Sequence, residues 1–273
     1  MKKRIIAAAV LVPVMILVLY ALPKWVAAAV VSFLCAVGAY ELLYRTGLVR
    51  HLRMVVYSAA LAAFLPLWTF FSADALWLKV AVLAFFVLMF MEMMLAQTKL
   101  RFEKVGLCFA GGIVIPYLLT SLLRILASDG GRYVILIPFV LAFLSDSGAY
   151  FIGCRFGKHK LAPIISPNKS VEGMLGGIAT AVVGMLLYCL VLQLIFGCQV
   201  SYGYALVYGV LGSVAGVFGD LCFSVIKRQT GIKDYGNLIP GHGGVLDRFD
   251  SLLVAAPLVE ILLVVLPVVT HHG

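Results

Sequence analysis

Charge is what this 273-residue sequence has least of: Lys and Arg number 21, Asp and Glu only 12, together 12% of the chain. A soluble domain carries about a quarter of its residues charged, so an ordinary soluble fold is excluded. Strict alternation of apolar and polar residues is missing as well, which excludes a transmembrane β-barrel. The six cysteines, at 35, 108, 154, 189, 198 and 222, form no Cys-x-x-Cys pair and no Cys/His metal spacing. They read as packed or lipid-facing thiols. There is no Walker-type loop, no dinucleotide fingerprint on a βαβ unit and no Ser-His-Asp spacing. No long hydrophilic stretch interrupts the chain.

What is present is apolar: 63% of residues, with a mean hydropathy of +1.10. Apolar runs near 20 residues recur, the length a helix needs to cross ~30 Å of hydrocarbon. The fold class expected is all-α, a polytopic integral membrane protein of about nine transmembrane helices. The expected spans are 5–22, 25–43, 55–71, 76–96, 105–126, 133–152, 173–196, 203–226 and 251–269. The first could mimic a signal peptide, but its apolar run is long and no small-x-small cleavage site follows, so it reads as a retained span. Five spans fall in an N-terminal membrane region, 1–130. Four fall in a C-terminal region, 131–273, together with two polar loops at 153–172 and 227–250.

The net charge of +9 raises nucleic-acid binding, but in a membrane protein its distribution matters more than its sum. With the N-terminus in the cytoplasm, 17 of the 21 Lys and Arg residues fall on that side; Lys24, Lys79, Arg124 and Arg132 fall on the other. A miscounted span would scramble so clean a split. The C-terminus is then expected on the opposite face, and both polar loops face the cytoplasm.

Seven of the twelve carboxylates lie in the second half; apart from Glu260 they are Asp146, Glu172, Asp220, Asp234, Asp247 and Asp250. Asp220 is the most telling, because it sits within the eighth apolar segment, where an acid must be paired, solvated or bound to a cation. On a helix, Asp220, Ser224 and Lys227 share one face. Glycines at 209, 212, 216 and 219 would let another helix approach closely. Its plainest alternative is a buried Asp–Lys pair holding helices together. Asp146, in "LSDSGAYFIG", stands near a helix end. In "SPNKSVEGMLGG", Pro167 and Asn168 signal a turn, and Lys169 and Glu172 could form a local ion pair. Gly173, Gly176 and Gly177 read as packing residues.

In "PGHGGVLDRFD", glycines on both sides of His242 permit unusual dihedrals and close approach of backbone to a ligand. Asp247 and Asp250 follow near the start of the ninth span. Acids suit a hard cation such as Mg²⁺, which binds through one or two carboxylates plus substrate phosphates. Lys169, Lys227, Arg228, Lys233 and Arg248 suit phosphate oxygens. These residues alone point to Mg²⁺-dependent phosphoryl or nucleotidyl transfer at the cytoplasmic membrane face.

The run Ser224 to Asp250, "SVIKRQTGIKDYGNLIPGHGGVLDRFD", closely resembles the signature of the phosphatidate cytidylyltransferases, or CDP-diacylglycerol synthases. Its pattern is S-x-hydrophobic-K-R, K-D, H-G-G and D-R-x-D. The upstream "SDSGAYFIGCRFGKHKLAPIISPNKSVEG" is similar to the family's second block. The resemblance implies transfer of cytidylyl from CTP to phosphatidic acid, with Mg²⁺ and a second, monovalent cation such as K⁺. It implies metal carboxylates at Asp220 and Asp247, with Asp146 in support. Lys227, Arg228 and Lys233 join Asp220 and Asp247 as catalytic candidates. Lys169, Glu172, Ser224, Asp234, His242, Gly243, Gly244, Arg248 and Asp250 are expected at the substrates. A homodimer is also implied; the compact chain without organellar targeting is expected in a bacterial inner membrane, with no nucleic-acid partner. The alternatives are another CTP-dependent membrane enzyme, such as a polyprenol kinase or an archaeal-lipid cytidylyltransferase, and a cation-coupled secondary transporter.

Overall fold

The computed structural model describes residues 17–71, 74–96, 100–238 and 243–270. In hydrocarbon every backbone N–H and C=O must be satisfied within the protein, and a helix does this within one segment. Seven helices among the described residues are long and apolar enough to cross a membrane: α1 (Lys24–Arg45), α2 (Leu52–Phe71), α3 (Leu76–Leu95), α4 (Phe102–Ala127), α5 (Gly131–Phe156), α6 (Val171–Phe196) and α7 (Tyr202–Thr230). The chain is therefore an all-α polytopic membrane protein. Of the first expected span, residues 5–16 lie outside the described residues, and Leu17–Ala21 forms a π-helical turn.

The ninth expected span is shorter than the apolar run suggested. A four-residue turn of helix, α8 (Leu246–Phe249), precedes α9 (Leu252–Val265), which has only 14 residues. Pro267 accounts for the early stop, because a residue preceding proline is pushed away from the helical region; Leu266 sits at φ −132° and ψ 72°. The chain then runs extended, and its end (Val269–Thr270) pairs antiparallel with Gln199–Val200.

The chain divides into two compact units, Met1–Ala127 with Gln229–Arg248, and Ser128–Arg228 with Phe249–Gly273. In the first, α1 to α4 enclose a core of Leu43, Met54, Val55, Leu61, Leu65, Phe85, Met89, Val105 and Cys108. Two hydroxyls in these apolar helices are satisfied one turn back: Ser58 Oγ donates to Met54 O at 2.8 Å and Thr69 Oγ1 to Leu65 O at 2.8 Å. Such bonds hide a polar group where water cannot reach it.

In the second unit, α5 and α6 pack side by side over much of their length. A β-hairpin of Lys160–Ala162 and Ser166–Ser170 joins them, with a bulge in its ladder. The turn lies at 163–165, so Pro167 and Asn168, expected at a turn, belong to the returning strand. Pro163 supplies the turn, and strand pairing claims the two residues that local chemistry alone would have placed there. Ser170 then caps α6, its Oγ accepting from Gly173 N–H at 3.1 Å. Small residues bring the helices together: a Cβ on Gly177 would stand 2.6 Å from Ser145 O. Across the packed interior Ser145 and Ser213 share a hydroxyl–hydroxyl bond of 2.6 Å.

Because the obstacle at Gly177 is backbone, a side chain there has nowhere to move. Gly177→Leu is expected to cost on the order of 1–3 kcal/mol or more, read as a lowered melting temperature in detergent. Gly203→Ala, where nothing lies within 4 Å of the added carbon, is expected to leave melting unchanged or slightly raised.

Candidate active site

Asp220 lies on α7, half-buried. Its Oδ2 forms an ion pair with Lys169 Nζ, delivered by the strand that leads into α6. Both side chains retain 24% exposure, so the pair is sheltered without being sealed. Ser224 Oγ, one turn along α7, donates to Asp220 Oδ1 at 3.2 Å. The helical face expected for Asp220 and Ser224 is therefore present. Lys169 reaches Asp220 from another segment, while Lys227, farther along the same helix, lies in the field of Asp250. The predicted local pair of Lys169 with Glu172 does not form. Glu172 instead bonds His159 Nδ1 at 2.5 Å and accepts from the backbone N–H groups of Lys158 and His159. That carboxylate fixes the base of the hairpin.

Asp250 is brought beside Asp220 by Gly219, whose missing side chain admits the Asp250 carbonyl against α7. The Asp250 side chain is 8% exposed and its Oδ1 accepts from Ser251 N–H at 2.8 Å. Burial, then the negative charges of Asp220 and Asp146, push its carboxyl up to about 7, while Lys227 opposes the rise. Asp146 is exposed at the mouth of a pocket of about 240 Å³ whose wall includes Tyr150, Ser166, Asn168, Lys169 and Ser170. Arg228, exposed, donates Nε to Ile165 O at 3.1 Å and so braces the hairpin turn.

The other polar segment is ordered within the first unit. Asp247, 7% exposed, accepts on Oδ2 from Tyr235 N–H at 2.8 Å and Gly244 N–H at 2.9 Å. It closes the loop on itself. Gly243 adopts φ +89°, a left-handed conformation that glycine reaches without strain. Lys233, Asp234 and Arg248 are exposed on this segment; His242 lies outside the described residues.

A residue the sequence reading passed over stands beside this loop. Glu41, on α1, is 3% exposed and accepts from Val245 N–H and Leu246 N–H, each at 3.0 Å. The signal that singled out Asp220, an acid inside an apolar run, applied equally to Glu41 in the second expected span.

Among the described residues, no three His, Cys, Asp or Glu side chains already converge as a metal cage. Mg²⁺ does not require one, since one or two carboxylates suffice when phosphates and water complete the shell. The hard oxygens of Asp220, with Asp146 and Asp250 in the same field, fit that ion. Burial is the main cause of the raised Asp250 carboxyl and its acidic neighbours add to it; a cation would favour the charged form.

A multi-span membrane protein whose sparse polar groups are carboxylates and phosphate-type cations is the class these features define. Residues 2–266 match the cytidylyltransferase family, and the chain belongs to that family of nucleotidyltransferases, as its signature led us to expect. The phosphatidate cytidylyltransferase of Bacillus subtilis (strain 168) is 40% identical over 198 residues, 72% of this chain and 72% of that one. That of Staphylococcus epidermidis (strain ATCC 12228 / FDA PCI 1200) is 44% identical over 137 residues, covering 50% and 51%. That of Staphylococcus aureus (strain COL) is 41% identical over 134 residues, covering 49% and 50%. This chain thus spans about half the length of the staphylococcal relatives it matches.

The raised Asp250 carboxyl has a pH signature of defined sign. Folding raises its value from the ordinary 3.8 to about 7, so the folded protein binds this proton more tightly than the unfolded chain. The resulting stability is complete below pH ~4 and is lost as pH rises through ~7. In metal-free detergent solution, Asp250→Asn is expected to remove that fall from the melting temperature profile. An unchanged profile would contradict the assignment.

Proposed function

We propose that this protein is a phosphatidate cytidylyltransferase, joining CTP and phosphatidic acid into CDP-diacylglycerol and pyrophosphate at the cytoplasmic face of a bacterial inner membrane. The 40% identity to the Bacillus subtilis enzyme over 72% of both chains carries the reading. The complete pattern from Ser224 to Asp250 supports it, and the one-sided distribution of Lys and Arg supports the cytoplasmic face.

In the proposed reaction a phosphatidate oxygen attacks the α-phosphorus of CTP. The new P–O–P bond forms as the bond to the β-phosphate breaks, and its electrons leave with pyrophosphate. A phosphate monoester is largely dianionic at neutral pH, so no strong general base is required. The barrier is dominated by repulsion between two anions, and charge neutralisation with alignment is the means of lowering it. Asp220, with Asp146 in support, is a proposed carboxylate for Mg²⁺, as is Asp247 on the resemblance of its segment, and the ion when bound would supply positive charge to the phosphate oxygens. The Lys169 ammonium neutralises Asp220 and flanks the pocket of Asp146 and Ser166, where it can pass from carboxylate to phosphate as substrate enters. Lys227 lies in the field of Asp250 and contributes positive charge to the same acidic group. Arg228 braces the hairpin that carries Lys169. Lys233 and Arg248 present exposed cations on the loop ordered by Asp247. We further propose a homodimer and a monovalent cation such as K⁺ beside the Mg²⁺.

The test is transfer of α-labelled CTP into the organic phase by purified protein in detergent–phosphatidate micelles, with and without Mg²⁺. Labelled CDP-diacylglycerol should appear only with Mg²⁺. Asp220→Asn and Asp247→Asn, both folded, should lower the rate by ~100-fold or more, the scale of losing one preorganised electrostatic contact. An active variant removes that aspartate from the essential set. A folded wild type that labels no lipid overturns the phosphatidate reading.

A further inference from the structure

We infer that Glu41 is a positioning residue for the D-R-x-D segment, acting through Asp247 and Arg248. The inference deepens the proposed function and rests on that reading for the role of those two residues. Glu41 lies outside the signature blocks but within residues 2–266, which match the family.

The geometry is specific. Val245 and Leu246 supply amide groups at the start of α8, where no preceding turn exists to accept them. Both find a partner in one carboxylate from α1: Val245 N–H bonds Oε1 and Leu246 N–H bonds Oε2, each at 3.0 Å. With both oxygens engaged, the segment can neither roll nor slide along α1 without breaking a bond. Asp247 takes the amide just before them, that of Gly244, and also that of Tyr235. Three consecutive N–H groups, from Gly244 to Leu246, are thus held by two buried acids. Arg248 follows directly on α8, so its direction is set by the same anchor.

The surroundings are built around the Glu41 carboxylate. A Cβ on Gly236 or on Gly244 would collide with its oxygens, so two glycines of the signature leave the space it occupies. Leu246 packs on α1 at Gly38, where an added Cβ would stand 3.3 Å from its Cδ2. The regular winding of α1 also changes at Glu41, where a π-helical turn, Glu41–Arg45, begins. Such turns within α-helices recur at functional sites because the extra residue re-aims a side chain. A buried carboxylate in an apolar helix is costly, and an aliphatic residue would pack there without that cost. The return is a fixed direction for the loop, which no aliphatic side chain provides.

The experiment uses the full chain in detergent–phosphatidate micelles, comparing wild type, Glu41→Gln and Gly236→Ala. Glu41→Gln keeps the shape but turns an amide NH2 toward a backbone donor; Gly236→Ala displaces the carboxylate from the opposite side. Hydrogen–deuterium exchange is followed in peptides covering 243–249, with α3 as an internal reference, beside kcat, KM for CTP and melting temperature. Expected is slow wild-type exchange at Val245 and Leu246, faster exchange there in both variants, and unchanged exchange in α3. kcat should fall by about 100-fold, the scale of a misplacement near 1 Å, with KM changed far less. Glu41→Gln combined with Asp247→Asn should lose little more than the larger single loss, because both act through one loop. The inference is overturned by fast wild-type exchange at these amides, by unchanged kcat in a variant with faster exchange, or by losses that multiply. It is overturned equally if both variants lose exchange protection throughout the chain, for then Glu41 only holds the fold. A wild type inactive on CTP and phosphatidate strikes the functional reading instead, and the exchange data separate the two failures.

Discussion

An acid within an apolar helix survives only where donors or cations replace the water it has lost, and the attachment of polar segments to helices in this protein follows from that constraint. Asp220 on α7 recruits Lys169, and with it the strand entering α6. Asp250 is admitted beside it by the missing side chain of Gly219. Glu41 on α1 recruits the first amides of α8. In each case an isolated acid would be a liability, and the partner that removes the liability is a piece of the polar chemistry. Stability and placement of functional groups are here the same contact.

The acids also differ in what they leave available. Glu172 and Glu41 are occupied by backbone donors and act as fasteners. Asp220 is held by a flexible lysine and a serine hydroxyl, partners that can be exchanged for a metal and a phosphate without unfolding anything. Asp250 sits between these cases, its charge resisted by burial and by its neighbours. In the reaction we propose, a gradation from fixed to exchangeable partners would let the scaffold stay while the counterions trade places.

Much of this was legible in the sequence. Hydropathy located the seven long helices to within several residues, because apolar length is dictated by the bilayer. Asp220 and Ser224 were placed on one face by helical period alone. The partners of the acids were not legible: Lys169 was expected to meet Glu172 three residues on, and a contact between distant segments pairs it with Asp220 instead. Pro167 looked like a turn residue because local chemistry was all that could be weighed; strand pairing moved the turn to Pro163. The early end of α9 was readable in principle, since Pro267 stands inside the apolar run. Glu41 carries the same signal as Asp220, an acid in an apolar run, but it lies outside the signature and far along the chain from the loop that it anchors.

The separation between Glu41 and its partners, 204 and 205 residues along the chain, has a consequence for synthesis. A ribosome adding about 5–20 residues per second delivers α1 to the membrane on the order of ten seconds or more before Val245 exists. Through that interval the acid lacks the two amides that it accepts from in the folded protein. α1 can therefore be made well before the D-R-x-D segment, which gains its setting on Glu41 only once Val245 and Leu246 exist.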